Sequence, residues 1–203
     1  MGCSSSSQKQ KKQSNLKIAK KETIKKEPKI VFLGDAHVGK SSIAQRYCSN
    51  TVDENYEVTI GAVYHRKQVQ LQNNYQLTLH LWDTGGEERF KAMAPLYYRD
   101  ADAAILVYDQ TEAKTFDSIN FWLQELDNKV KNEGLILGLA GNKCDKPEEE
   151  KLVSRQQAEQ FAKNNNLIFF ETSAITDEGI SQLINTVAEE YYNKKIKPLL
   201  TQQ

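Results

Sequence analysis

The sequence predicts an α/β fold, with a mostly parallel sheet covered by helices on both faces and edged by one antiparallel pair. Three observations carry this. AlaAlaIleLeuValTyr (103–108), LeuIleLeuGlyLeuAla (135–140) and LeuIlePhePhe (167–170) are continuous apolar runs, the pattern of parallel strands buried on both faces. Helical patterns at 114–131, 154–164 and 180–195 alternate with them, at the spacing of strand-helix-strand units. ValTyrHisArgLysGlnValGlnLeu (63–71) and TyrGlnLeuThrLeuHisLeuTrpAsp (75–83) alternate polar with apolar around Asn73-Asn74, which reads as a hairpin. In such sheets ligands sit beyond the carboxyl ends of the strands.

The chain has 203 residues and 39% hydrophobic content, enough for one domain with a sizeable core. The organisation reads as an arm (1–28), a folded body (29–195) and a short tail (196–203). Net charge is zero but uneven: residues 1–29 hold nine lysines and two glutamates, a net +7, and the remaining 174 residues carry −7. A basic arm on an acidic body points to a membrane surface or another polyanion as partner of the arm only, and gives the body no nucleic-acid partner. Cys3, Cys48 and Cys144 have neither disulfide nor zinc-ligand spacing, which favours a reducing compartment. No apolar stretch is long enough to span a bilayer, and the N-terminus lacks the apolar segment of a secretory signal.

The arm, MGCSSSSQKQKKQSN followed by more lysines, has few apolar groups to offset ordering entropy and reads as disordered. Its first six residues fit M-G-x-x-x-[ST], with Gly2 as lipid acceptor and Ser6 at the hydroxyl position. Cys3 offers a place for a second acyl chain. One myristoyl chain holds a membrane weakly; a second chain or a polybasic patch makes the attachment stable. As a flexible coil, the stretch from Gly2 to Pro28 spans about 30 Å.

LysIleValPheLeu (29–33) is a short apolar run that reads as a buried strand. GDAHVGKS (34–41) follows and fits G-x-x-x-x-G-K-[ST], and 41–47 reads as a helix. Glycines let backbone N–H groups turn inward to cradle phosphate, and the following helix N-terminus adds its field. Asp35, Ala36, His37, Val38 and Gly39 supply the cradle. Lys40 places a charge on the β- and γ-phosphates, the Ser41 hydroxyl can ligate Mg²⁺, and Ser42 follows on the helix.

Residues 49–58 are polar and read as a loop ending in Thr59-Ile60-Gly61. A Thr59 hydroxyl there can close over Mg²⁺ when a γ-phosphate is present. Asp83-Thr84-Gly85-Gly86 ends the next strand. Asp83 can hold the Mg²⁺ water shell, and Gly86 leaves a backbone N–H for a γ-phosphate oxygen; taken alone, Asp83 also reads as a cap for a helix over 88–97. Asn142-Lys143-Cys144-Asp145 follows the fifth strand. The Asp145 carboxylate offers two acceptors to the N1–H and 2-amino group of guanine, a donor pair that adenine lacks. Glu171-Thr172-Ser173-Ala174 follows the sixth strand, where Ser173 and Ala174 are candidate nucleotide-binding residues and a backbone N–H near Ala174 can meet guanine O6. Each of these two strings by itself is also a plain turn sequence; their joint order gives them meaning.

Gly34–Ser41, Thr59, WDTGGEERF (82–90), NKCD (142–145) and ETSA (171–174) together resemble a Ras-superfamily small GTPase over residues 29–195. TIGA (59–62), WDTGGEERF and APLYYRDADAAILVYD (94–109) resemble the Rab branch, and within it the early-endosomal group. An N-terminal acylation motif without a C-terminal prenylation cysteine is similar to the acylated plant and protist variants of that group. The resemblance implies the P-loop NTPase fold of small GTPases, a six-stranded sheet with five helices. It implies a GTP/GDP switch with Mg²⁺ that recruits effectors in vesicle traffic, served by an exchange factor and an activating protein. It also implies that Tyr64, Trp82 and Tyr97 form an effector-facing cluster; as aromatics, they read equally as core.

Four residues depart from the family pattern. Glu87 stands where the family has the glutamine that orients the attacking water, which bears on hydrolysis. Gly85 replaces an alanine, Val52 an aromatic that packs on guanine, and Ile175 a lysine; these bear on nucleotide affinity and exchange. Ala36 and His37 vary within Rabs, and His37 reads as exposed. The combined expectation is a regulatory GTPase with Lys40, Gly86 and Glu87 at the reacting phosphate, tethered on the cytoplasmic face of an endosomal or plasma membrane. A GTP-dependent binding module with little hydrolysis is the alternative that Glu87 raises. A nucleoside or nucleotide kinase shares the phosphate loop but leaves NKCD, ETSA and the lipid motif without a role.

Overall fold

The computed structural model describes residues 26–52, 58–87, 94–130 and 134–201. Gly2, Cys3, Ser6 and the lysines of the arm as far as Lys25 lie outside the described residues, as does the first part of the helix read over 88–97.

Six strands form one sheet: β1 (Lys29–Leu33), β2 (Ala62–Gln70), β3 (Gln76–Thr84), β4 (Ala103–Asp109), β5 (Ile136–Asn142) and β6 (Ile168–Thr172). Their order is β2-β3-β1-β4-β5-β6. Only β2 with β3 is antiparallel, closed at Asn73-Asn74 where Asn74 takes φ 63°. β1 lies between β3 on one side and β4 on the other and runs parallel to both, so the order in which successive strands are added reverses at β1. That is where a crevice opens at the carboxyl ends.

Among the described residues there are five helical bodies: α1 (Lys40–Ser49), α2 (Ala94–Tyr98), α3 (Ala113–Asp117 and Ile119–Lys129), α4 (Arg155–Asn164) and α5 (Ile180–Tyr191). α3 is interrupted at Ser118, whose hydroxyl donates back to the Lys114 carbonyl at 3.0 Å; such back-bonding bends helices. α5 runs beyond residue 195 through a π-helical turn (Tyr192–Ile196) into Lys197–Thr201. Pro198 has no N–H for the preceding turn and its ring crowds the carbonyl four residues back, and the widened turn relieves this. Ile196 is fully buried and Leu200 packs on the core, so this end of the chain is docked.

Alternation along the strands divides the core in two. Ile30, Phe32, Ile105 and Val107 point to the side covered by α1 and α5, against Ile43, Tyr47, Leu183, Ile184 and Val187. Val31, Leu33, Leu106 and Tyr108 point to the side covered by α3 and α4, against Phe116, Ile119, Trp122, Leu126 and Ala158. β4 is buried at every position, as its apolar run predicts. β6 is only half-buried because it is the sheet edge, with Phe170 on one core and Phe169 on the other. No described helix is long and apolar enough to cross a membrane.

Candidate functional site

β1 delivers the chain to the Gly34–Gly39 loop, and α1 begins directly at Lys40. The Lys40 side chain folds back over the loop that precedes it. Its ammonium donates to the carbonyls of Gly34 (3.0 Å) and Asp35 (2.7 Å) and is 5% exposed. Burial pulls its pKa down to about 8, against the opposing pull of Asp83 and Asp35. A cation held this way costs desolvation that an anionic ligand recovers.

Two glycines are required for the loop to close. Gly39 takes φ 96°, and a Cβ there would lie 2.2 Å from Asn142 Nδ2. That amide donates to the Val38 carbonyl (2.7 Å) while its oxygen accepts from Thr172 Oγ1 (3.2 Å), so the ends of β5 and β6 hold the phosphate loop in place. Gly86 lies against the other side. A Cβ on it would be 2.4 Å from both Asp35 O and Lys40 Nζ, so its backbone comes as close to the cradle as a chain can. Glu87 follows directly and is half-buried.

Ser41, Thr59 and Asp83 converge beside this cradle. Ser41 Oγ and Thr59 Oγ1 are 2.9 Å apart, and Thr59 Oγ1 reaches Asp83 Oδ2 at 3.4 Å. Asp83 is 2% exposed, and its Oδ1 has no hydrogen-bond partner. Burial raises its carboxyl pKa, with the Ser41 hydroxyl and the Lys40 charge pulling the other way. Among the described residues no three His, Cys, Asp or Glu groups gather as a metal site. The donors here are two hydroxyls and one orphaned carboxylate oxygen, an all-oxygen set that suits Mg²⁺ completed by phosphate oxygens and water.

The opposite end of the crevice is built from the ends of β5 and β6. The Ser173 hydroxyl donates to Asp145 Oδ1 (2.5 Å) and accepts from the N–H groups of Ile175 (3.2 Å) and Thr176 (3.1 Å). Lys143 takes φ 66° and pairs with the buried Asp109 at 2.6 Å. The Cys144 thiol is pushed up to about 11 by burial and the nearby Glu178, Glu171 and Asp145 carboxylates, so it stays protonated. Between the two ends runs a cavity of about 340 Å³ lined by His37, Gly39, Ser42, Val52, Asn142, Lys143, Ala174 and Ile175, within the range of small-molecule sites. His37 is exposed at its rim with φ 63°. Val52 and Ile175, two of the residues that depart from the expected pattern, both form its wall.

Tyr64, Trp82 and Tyr97 meet on the β2–β3 face. Ring centroids are 5.5 Å apart for Tyr64 and Trp82 and 6.5 Å for Trp82 and Tyr97. Tyr64 is 46% exposed, whereas Trp82 and Tyr97 are half-buried and Trp82 packs on the core, so the cluster runs from the core out to the surface. The start of the folded body joins it. Lys29 Nζ lies 5.1 Å from the Trp82 ring centre, and Glu27 Oε2 reaches His80 Nε2 at 2.6 Å, with His80 Nδ1 at 2.6 Å from the Tyr64 hydroxyl.

The structure thus brings together every described phosphate-, metal- and base-site residue named from the sequence. It adds Asp109, which orients Lys143, Thr172, which orients Asn142, and Arg46, on α1 below the cavity. Asp109 carries a signal that was available, a carboxylate ending an apolar run as Asp83 does. Arg46 looks like an ordinary helix-surface residue in sequence, and Thr172 stands in the ETSA string without a role of its own.

Comparison with known proteins agrees with this geometry. The sequence model of the Ras family matches residues 29–193. The GTP-binding protein ypt5 of Schizosaccharomyces pombe is 40% identical over 172 residues, covering 85% of this chain and 81% of that one. The Ras-related protein Rab-5B of Plasmodium falciparum is 39% identical over 201 residues, covering 96% of this chain and 95% of that one. The Ras-related protein Rab-22A of Mus musculus is 39% identical over 173 residues, covering 85% and 88%. With a phosphate cradle at one end of its crevice and the NKCD and ETSA loops at the other, the chain belongs to the Ras family of small GTPases.

Proposed function

We propose that the protein is a membrane-tethered switch of endosomal vesicle traffic. It exchanges GDP for GTP, recruits effectors through the Tyr64–Trp82–Tyr97 face in the GTP state, and ends that state by hydrolysis. The observation that carries the switch is the convergence of Thr59 on Ser41 and Asp83. A hydroxyl delivered by a loop to the metal and γ-phosphate position makes that loop's placement depend on which nucleotide is bound. Asp145 with Ser173 and the Ala174 N–H read guanine; the Gly34–Gly39 backbone, Lys40 and Ser42 hold the phosphates. The Ser41 and Thr59 hydroxyls, with Asp83 through a water shell, would hold Mg²⁺, which when bound would supply neutralisation of phosphate charge. Lys40 and the Gly86 N–H stabilise charge on the γ-phosphate oxygens as water attacks phosphorus and the bond to GDP breaks, giving inorganic phosphate. Glu87 stands next to that water.

The arm is the tether, with acyl chains on Gly2 and Cys3 and lysines against anionic lipid, each worth about 1 kcal/mol near the surface. The similarity to Rab-5B spans 96% of this chain and so reaches into the arm that the family model leaves out, which supports treating arm and body as one unit. On this reading the protein works on the cytoplasmic face of an endosomal or plasma membrane, where an exchange factor and an activating protein set its state. Nucleotide analysis of the purified protein with single-turnover hydrolysis tests the switch: guanine nucleotide and released phosphate are expected, and bound adenine nucleotide would overturn it. Cell fractionation tests the tether: Gly2→Ala is expected in the soluble fraction and Cys3→Ser in weak, reversible attachment, whereas tight membrane binding of Gly2→Ala would overturn it.

A second reading follows from Glu87. If the carboxylate does not serve the attacking water, the protein is a GTP-dependent binding module with little hydrolysis, and single-turnover release of phosphate separates the two.

A further inference from the structure

Arg46 lies on the last turn of α1, beneath the loop that ends the cavity. Its single guanidinium holds three carbonyls: Nε donates to Ala174 O at 2.7 Å, Nη2 to Ile175 O at 3.3 Å, and Nη1 to Asn50 O at 3.0 Å. The first two belong to the loop after β6, and the third caps α1 two residues before Val52 on the cavity wall. A planar fork of donors suits this task, since several carbonyls are fixed by one group whose own geometry is rigid.

The clamp acts on a short stretch in which several N–H groups are already committed. The Ser173 N–H donates to Glu178 O, and the Ile175 and Thr176 N–H groups donate to Ser173 Oγ. The Ala174 and Ile175 carbonyls are on Arg46, and among the described residues no hydrogen bond is made by the Ala174 N–H. Ala174 lines the cavity.

We propose that Arg46 is a positioning residue for the guanine base. It holds the Ala174 peptide so that this N–H meets the guanine O6, and it ties the base loop to the end of the phosphate-binding helix, so that the two ends of the nucleotide site open together and nucleotide residence is set by one side chain. This rests on the reading above, in which guanine lies between Asp145 and Ala174.

The test is the dissociation rate of GDP and of 6-thio-GDP from the full chain and from Arg46→Ala and Arg46→Lys. Sulfur at position 6 accepts a hydrogen bond weakly, while the N1–H and 2-amino group are kept. The wild-type protein is expected to release 6-thio-GDP faster than GDP. Arg46→Ala is expected to speed GDP release about tenfold, the value of one hydrogen bond, and to speed 6-thio-GDP release by clearly less. Arg46→Lys, whose ammonium lacks the fork, is expected between the two, and it carries the comparison if the alanine variant does not fold. An unchanged GDP rate, or equal acceleration of both nucleotides, would overturn the role of Arg46, the second outcome marking a general loosening of the fold. Equal release of the two nucleotides by the wild-type protein would overturn the placement of guanine itself.

Discussion

Ser41 and Thr59 are eighteen positions apart in sequence, yet their hydroxyl oxygens lie 2.9 Å from each other, with Asp83 at 3.4 Å from the second. Ser41 lies on α1, whereas Thr59 comes from a loop, so the pair joins a helix to a loop. Replacing Ser41 by Asn removes the hydroxyl and leaves a bulkier amide in the oxygen-lined position. Because the γ-phosphate depends on a properly held metal more than the β-phosphate does, Ser41→Asn is expected to shift preference from GTP to GDP by about tenfold or more. The ratio of the two dissociation constants in Mg²⁺ checks this; an unaltered ratio would remove Ser41 from the metal position.

Asp145 is held by the Ser173 hydroxyl at 2.5 Å, which fixes the plane of its carboxylate at the base end of the cavity. Asp145→Asn replaces an acceptor pair by one acceptor and one donor. Guanine then faces an amide hydrogen where it needs an oxygen, while xanthine, which carries an oxygen in place of the 2-amino group, finds a match. Loss of GTP affinity by about a hundredfold or more is expected, with a gain for xanthosine triphosphate. Competition between the two nucleotides measures this, and unchanged GTP affinity would sink the assignment.

Lys40 gives the pH dependence. Burial lowers its pKa from 10.5 to about 8, and a phosphate against the ammonium raises it again. The sign follows. Below about pH 8 the lysine is charged before and after nucleotide binds, and affinity is at its full value. As pH rises through about 8, binding must bring a proton with it, and affinity falls. Calorimetry in buffers of different ionisation enthalpy is expected to show uptake of about half a proton per GDP at pH 8, and about a tenth at pH 7. Lys40→Arg, which stays charged throughout, is expected to abolish the difference. Equal uptake at the two pH values in the wild-type protein would contradict a buried Lys40 as the phosphate-binding group.

The strands were legible because burial on two faces, or on one, leaves different patterns. β4 reads as one apolar run and is buried throughout, while β3 alternates as QLTLHLWDT and is buried at every second residue over most of its length. The site was legible where chemistry forces residue type at fixed spacing, as in GDAHVGKS and NKCD. It was illegible where a residue acts through the fold. Arg46 meets carbonyls 128 and 129 positions away, and Thr172 reaches Asn142 across a strand pair; neither distance has a local signature. The continuation of α5 to Thr201 was hidden by Pro198, which ends helices more often than it sits in them. Glu27 on His80, and through it Tyr64, was hidden because an arm rich in lysine gives no hint that its last acidic residue pairs with the hairpin.

Glu87 remains the residue on which the reaction turns. It follows Gly86, whose backbone is pressed against Asp35 and Lys40, so its place in the chain is next to the Gly34–Gly39 loop even though its chemistry departs from the family. A glutamine there accepts from the attacking water and donates to a phosphate oxygen, whereas a carboxylate only accepts. A negative triphosphate would repel that carboxylate, but a charged Lys40 and a metal ion held by the Ser41 and Thr59 hydroxyls would offset part of the phosphate charge. On the proposed function Glu87 would face the water as acceptor or general base, without the donor on which an activating protein built for an amide relies. Glu87→Gln is expected to leave intrinsic single-turnover hydrolysis equal or slower, and to increase the response to a Rab-type activating protein. A large rise in the intrinsic rate on the same substitution would mean that repulsion turns the carboxylate outward and that the wild-type protein holds its GTP state by default.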